Sequence, residues 1–216
     1  METKNNNNKM NKFSVALGLF DYINPIFYSI TSITLATNMA KLMNKPLFIM
    51  FTIGVVLSLI FGFSIPTVKL LVGLGKIPFK LPVKFVFYVN SGILLSGISL
   101  FSYIFNLKQI IAILLLSFIL AILALIYTKT KKFNTVAVLI GSFGYILIYT
   151  SLITLAIRKV LILPIVLYAI AICLFVFLCL IGIKANLKKA RIHWVIEISN
   201  VICQMLVAIA TIMVFH

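Results

Sequence analysis

Seven apolar runs of about 20 residues each, joined by short polar connections, constrain this chain more than any other feature. Roughly 20 apolar residues is the length an α-helix needs to cross the hydrocarbon core of a bilayer. A helix also pairs every backbone N–H and C=O within its own segment, which lipid demands. The runs cover residues 13–39, 46–64, 82–105, 109–127, 134–157, 160–183 and 191–215. They predict an all-α integral membrane protein, a seven-transmembrane-helix bundle.

The composition agrees with this prediction. The chain is 63% hydrophobic and 10% charged, whereas soluble domains are about 25% charged. Residues 1–12 are therefore expected to form a polar cytoplasmic tail, and residues 13–216 a single seven-helix membrane domain. The tail and first run resemble a signal peptide, but the run continues to Met39 without a small-residue cleavage site, so we expect an uncleaved first transmembrane helix.

The formal charge of +16 points to the membrane surface rather than to nucleic acid. Most of the 19 Lys and Arg residues lie in the tail and the even-numbered loops. By the positive-inside rule the N-terminus is cytoplasmic, the C-terminus is outside, and the protein is multi-pass in the cell membrane. Residues 65–84 contain three prolines and are expected to form a broken basic segment at the interface. The residues predicted to contact anionic headgroups at the cytoplasmic face are Lys69, Lys76, Lys80, Lys84, Lys188, Lys189 and Arg191.

The last apolar run carries a polar stripe. His193, Glu197, Asn200, Gln204 and Thr211 are spaced so that they share one face of a helix. A charged side chain near the bilayer centre costs about 2.5 kcal/mol or more, so Glu197 should face protein or trapped water rather than lipid. Its partners must therefore come from other segments.

A second stripe with an acidic residue lies in the first run, where Asp21, Asn24, Tyr28 and Ser32 share a helical face and Pro25 should bend the helix. At 1.5 Å per residue, the polar groups of four odd-numbered spans lie roughly 8 to 12 Å below the cytoplasmic surface. We therefore predict a polar cavity there. The residues predicted to bind a ligand or proton are Asp21, Asn24, Tyr88, Asn90, Tyr145, His193, Glu197, Asn200 and Gln204.

A purely structural interpretation exists for each of these residues. The positive end of a helix dipole and Arg191 would stabilise Glu197 near the start of its helix. The asparagines, Gln204 and the tyrosines are also typical of side chains that hydrogen-bond helices together. One sequence leaves both interpretations open.

Several chemistries are excluded by missing motifs. The chain has no HExxH, no aspartate-rich magnesium motif and no GxSxG, so we predict no catalytic residues, no metal site and no cofactor. Three cysteines, Cys173, Cys179 and Cys203, all lie in apolar runs and are interpreted as small core residues.

Three functions remain. The first is a small transporter or ligand-binding membrane protein with an acid-containing cavity in the cytoplasmic half, which takes a small polar solute or a proton. The second is an intramembrane enzyme that acts on a lipid or lipid phosphate. The third is an accessory subunit whose polar stripe seals against a partner. We favour the first over the enzyme, which stays an alternative; a homo-oligomer or a partner membrane protein is compatible with each.

Overall fold

The computed structural model describes residues 14–78, 83–184 and 190–216, and every regular element in these residues is an α-helix. The predicted tail lies outside the described residues. The helices are α1 (Val15–Asp21), α2 (Ile23–Met39), α3 (Lys45–Gly73), α4 (Val83–Ile104), α5 (Gln109–Thr130), α6 (Phe133–Arg158), α7 (Ile162–Lys184) and α8 (Ala190–Phe215).

Six of these helices, α3 to α8, are long and apolar enough to cross a membrane. The chain therefore has the character of a multi-pass membrane protein. The first apolar run is divided at Tyr22 into α1 and α2, so the count of seven spans stays a prediction. Tyr22 keeps right-handed helical angles (φ −64°, ψ −20°), so the chain continues past it without reversing. Pro25 explains the interruption, because it has no N–H to donate to the carbonyl four residues earlier, at Asp21, and its ring crowds that carbonyl.

Helix α3 is longer than the sequence predicted. It begins after Asn44, whose side chain accepts a hydrogen bond from Leu47 N at 3.1 Å, and runs through Pro66 to Gly73. The expectation of a broken interfacial segment is therefore wrong for residues 65–73, and residues 79–82 of that segment lie outside the described residues. Pro66 removes one hydrogen bond of the helical ladder, but close packing against α1 supports the following turn: a Cβ on Gly18 would lie 2.7 Å from Leu70 N.

The helices form a ring in chain order. Helices α1 and α2 pack on α3, α3 on α4, α4 on α6, α6 on α7, α7 on α8, and α8 returns to α2. Helix α5 lies outside the ring against α4 and α6. Its large side chains are mostly exposed, including Ile110, Ile113, Leu114 and Phe118.

Small residues set the closest helix contacts. A Cβ added to Gly54 in α3 would lie 2.6 Å from both Gly92 O and Ser96 N of α4. One turn later, Ser58 Oγ donates to Val89 O of α4 at 3.0 Å. Small residues four positions apart, Gly54 and Ser58, thus let the backbones of α3 and α4 approach closely.

The ring has two ends. We call the end where α2, α4, α6 and α8 begin the cavity half, and the end where these helices finish the closed half. In the closed half, Arg158 donates to Ile104 O at 3.0 Å and Lys159 donates to Val214 O at 2.5 Å. These two bonds join the helix ends of that half.

Candidate functional site

Asp21, Lys69 and Glu197 meet inside the cavity half. Lys69 Nζ lies 2.7 Å from Asp21 Oδ2 and also forms an ion pair with Glu197 Oε1. Asn24 Nδ2 donates to Asp21 Oδ1 and to Glu197 Oε2, each at 3.0 Å. All four side chains are buried, with 4% to 8% of each residue exposed. We call these four residues the ionic cluster.

Four helices position the ionic cluster: α2 carries Asn24, and three others carry the charged residues. Asp21 is the last residue of α1, Lys69 lies one turn before the end of α3, and Glu197 lies two turns into α8. The absence of a side chain on Gly18 lets α1 approach the backbone of α3 at Leu70, next to Lys69. The chain has only three acidic residues, and two of them, from opposite ends of the sequence, converge on one lysine.

The ionic cluster forms one wall of a cavity of about 330 Å³. This volume is at the lower end of the range for small-molecule sites, about 300 to 1,000 Å³. Tyr28, Tyr145 and Phe175 contribute aromatic rings to the lining. Amide side chains of Asn90, Asn200 and Gln204 contribute polar groups from α4 and α8. The cavity therefore combines apolar and polar walls with one charged region.

Most residues that the sequence predicted for the site do come together. The predicted residues that line the cavity are Asp21, Asn24, Asn90, Tyr145, Glu197, Asn200 and Gln204. Tyr88 does not line it: the residue is 42% exposed and its ring stacks on Phe61 at 4.6 Å. His193 is buried one turn before Glu197 but is not among the lining residues. Whether the lining residues bind a ligand stays a prediction.

Some lining residues also hold helices together. Asn90 Nδ2 donates to Ala137 O at 2.8 Å and so ties α4 to α6. Gln204 Nε2 donates to the hydroxyl of Tyr145 at 3.0 Å and ties α8 to α6. The structural interpretation offered by the sequence thus applies to these bonds, while the same side chains face the cavity.

Lys69 is the site residue that sequence reasoning placed wrongly. It was expected to contact headgroups at the interface, but it is 5% exposed and lies between two carboxylates. The reason is that α3 continues past Pro66 and carries Lys69 into the ring. Of the other predicted headgroup contacts, Lys76, Lys84 and Arg191 are exposed near the cavity half, whereas Lys80, Lys188 and Lys189 lie outside the described residues.

The cavity narrows towards the closed half. Tyr28, Tyr145 and Gln204 line both the cavity and a second space of only about 20 Å³ directly beyond it. Beyond these three side chains the ring interior is packed with buried apolar residues, including Ile98, Leu100 and Leu152. The cavity therefore ends at about the middle of the bundle.

Comparisons with known proteins do not assign this chain to a family. No family model matches the chain, and no curated protein and no solved structure is significantly similar to it.

Proposed function

We propose that this protein is a small membrane transporter or ligand-binding membrane protein whose cavity takes a small polar solute or a proton. The observation that carries the proposal is the ionic cluster on the wall of the cavity. Ionisable residues within a membrane span are rare and typically mark pathways for substrates, ions or protons. The cavity gives Asp21 and Glu197 a space into which such a species fits.

The proposal includes a topology. Helices α1 and α2 together form the first of seven spans, the N-terminus is cytoplasmic and the C-terminus is outside. The exposed Lys76, Lys84 and Arg191 at the cavity half support this direction, because basic residues mark the cytoplasmic side. The cavity then lies in the cytoplasmic half of a cell-membrane protein.

Burial of the polar stripe favours a cavity over a seam for a partner protein. A stripe that seals against another subunit would remain exposed on the isolated bundle. Here Asp21, Glu197 and Gln204 are buried within the ring, and Glu197 is bonded to residues of α2 and α3. The stripe of α8 therefore serves the interior of this chain.

Native mass spectrometry of the purified full-length protein tests the proposal. We expect wild type to retain a soluble small molecule that Asp21→Asn and Glu197→Gln both lose. Each variant still pairs Lys69 with one carboxylate, so no buried charge is left alone and the fold should persist. The exposed Tyr88 gives a matched control, and Tyr88→Phe should retain the molecule.

Two results would contradict the proposal. A phospholipid or polyprenyl phosphate in place of a soluble molecule, lost in the same two variants, would indicate an enzyme that acts on lipid. If nothing is retained and both variants merely unfold at lower temperature, the ionic cluster is structural.

A further inference from the structure

The ionic cluster is complete without a ligand. Each of the four carboxylate oxygens of Asp21 and Glu197 accepts a hydrogen bond, either from Lys69 or from Asn24. One proton on these two neighbouring acidic side chains balances the charge of Lys69. A solute in the cavity therefore needs no charge of its own.

Three amide side chains on other parts of the wall are not complete. Asn200 forms no hydrogen bond within the described residues. The Nε2 of Gln204 donates to the hydroxyl of Tyr145, and its Oε1 accepts nothing there. The Nδ2 of Asn90 donates to Ala137 O, and its Oδ1 likewise accepts nothing. Amide groups are strong donors and acceptors, so these groups have capacity for a ligand.

The free amide groups face open space. In the described part of the chain, the side-chain polar atoms that lack both a partner and an exposed surface belong to Asn24 and Ser102. The free groups of Asn200, Gln204 and Asn90 are not among these sealed atoms, and all three residues line the cavity. A molecule in the cavity can therefore bond to them.

The positions of the three amides define two opposite edges of a ligand. Asn200 and Gln204 are four residues apart in α8, so they are neighbours on one face and can meet the same edge. Glu197 lies one turn before Asn200, so the ionic cluster borders this edge. Asn90 belongs to α4, which packs on α3 and α6, whereas α8 packs on α2 and α7. The two helices thus face each other across the cavity.

Each edge requires a particular chemistry. A carbonyl next to an N–H, as in a lactam, matches the paired acceptor and donor of an amide such as Asn200. On the other side, Ala137 O can only accept, so it fixes Asn90 Nδ2 as the donor and leaves Oδ1 as a free acceptor. The opposite edge of the ligand therefore needs an N–H.

Aromatic rings stand beside these amides. The hydroxyl of Tyr145 lies 3.0 Å from Gln204 Nε2, and its ring contacts the ring of Phe175 with centroids 4.8 Å apart. Both rings line the cavity. A ligand bonded to Gln204 lies next to them, and aromatic faces favour a flat ring with which they can stack.

We propose, on the basis of the proposed function, that the solute is an uncharged, flat nitrogen heterocycle with a lactam edge and a further N–H on the opposite edge. The lactam edge bonds to Asn200 and Gln204, and the opposite N–H donates to Asn90 Oδ1. The ring lies against Tyr145 and Phe175.

Isothermal titration of the full-length protein with matched probes tests this proposal. Uracil has the flat ring, the lactam edge and the opposite N–H. Dimethyluracil keeps the ring and both carbonyls but carries methyl groups in place of both N–H hydrogens, and dihydrouracil keeps the polar groups on a ring that is no longer flat. We expect uracil to bind at least about tenfold more tightly than dimethyluracil, which leaves protein groups unpaired. It should bind about fivefold or more tightly than dihydrouracil, which stacks poorly.

Variants locate the binding. Asn200→Leu should weaken uracil binding about tenfold, and it removes no hydrogen bond that the described residues make. Asn38→Leu is the control, because it makes the same change at another partly buried asparagine that does not line the cavity. Phe175→Leu should reduce the difference between uracil and dihydrouracil. The probe series in wild type decides the proposal even if a variant fails to fold.

Two results would overturn this inference and leave the proposed function standing. The first is equal binding of uracil and either analogue. The second is tighter binding of benzylamine or benzoate than of uracil, which would assign the cavity to a charged solute.

If no probe binds, the molecule retained in native mass spectrometry decides. A flat lactam heterocycle would support the inference, and any other soluble molecule would overturn it. If no molecule is retained either, the proposed function fails together with the inference.

Discussion

The same helices form both halves of the ring, but the side chains inside the two halves differ. In the cavity half, charged and amide side chains surround a space of about 330 Å³. In the closed half, Tyr168 and Thr211 share a hydrogen bond of 3.1 Å, and Thr211 also donates to Val207 O. Apolar side chains fill the rest.

This difference has a functional meaning. A solute in the cavity half meets Tyr28, Tyr145 and Gln204 before it meets the packed residues beyond them. Bonds from Arg158 and Lys159 to backbone carbonyls hold the helix ends at the far side. One half holds a cavity and the other half is packed, which is the arrangement that the proposed function requires of a transporter with access from one side.

Among the substitutions that test this difference between the halves, loss of Lys69 should lower the stability of the protein most. Lys69→Met leaves two buried carboxylates without their cation, and removal of one partner of a buried ion pair typically costs about 3 to 5 kcal/mol. We expect a large drop in the unfolding temperature of the purified protein. Unfolding followed by tryptophan fluorescence is a suitable measurement, because Trp194 packs on Phe20 near the cluster.

A triple variant tests whether unpaired buried charge causes this loss of stability. Lys69→Met with Asp21→Asn and Glu197→Gln carries no charge in the ionic cluster and should recover most of the lost stability. If the triple variant is no more stable than Lys69→Met, lost packing of the lysine side chain and not unpaired charge would explain the effect.

Two glycines of α3 contrast the packing of the two halves. Gly54→Ala would place a Cβ 2.6 Å from two backbone atoms of α4, so the helices must separate. We expect a loss of about 1 to 3 kcal/mol, as for other overpacked contacts. Gly62→Ala is the matched control, because its Cβ would meet only Pro25 Cβ at 3.6 Å beside the cavity. If Gly62→Ala lost as much stability as Gly54→Ala, or more, the cavity half would be at least as tightly packed as the closed half.

The sequence predicted the stripe of α8 well, because helical periodicity decides which side chains share a face. It placed Asn200 and Gln204 on the same face as Glu197, and all three line the cavity. Tyr88 was predicted to line the site because it lies in the same span as Asn90, without regard to the helical face on which it lies. It lies two residues before Asn90, about 200° around the helix, so the two side chains point in different directions.

Lys69 could not be assigned from charge and proline content alone. Pro66 and the nearby lysines suggested a surface segment, while the apolar neighbours Val68, Leu70 and Leu71 indicated a continuing helix. The face of α3 gave the better signal, since Lys69 lies two turns after Gly62 on the side that packs inward. Its partners, Asp21 and Glu197, are distant in sequence, and only the packing of three helices joins them.

Cysteine labelling compares the wall of the cavity with the packed interior of the ring. Cys179 lines the cavity, whereas Cys203 is buried and shares a 3.3 Å contact with the hydroxyl of Tyr149. We compare Cys173→Ala/Cys203→Ala, which keeps Cys179, with Cys173→Ala/Cys179→Ala, which keeps Cys203. A thiol reacts as its thiolate, which needs water, so a membrane-impermeant maleimide should label Cys179 about tenfold or more faster in inverted vesicles. Equal rates would mean that the cavity holds no more water than the packed interior.

The same vesicles test the direction of access. With the proposed topology, the reagent reaches only the closed half in right-side-out vesicles, and Cys179 should remain unlabelled. Rapid labelling from that side would reverse the proposed topology while leaving the cavity itself intact.

Removal of single hydroxyl groups should give the smallest effects and the finest comparison. Tyr168→Phe deletes a hydrogen bond in the closed half, where no water replaces it, and should cost about 1 kcal/mol. Tyr145→Phe leaves Gln204 Nε2 without its acceptor at the wall of the cavity. Because cavity water can accept from Gln204 there, we expect a smaller loss for Tyr145→Phe than for Tyr168→Phe. Equal losses in thermal unfolding would mean that the cavity is dry, and that a ligand enters it without displacing water.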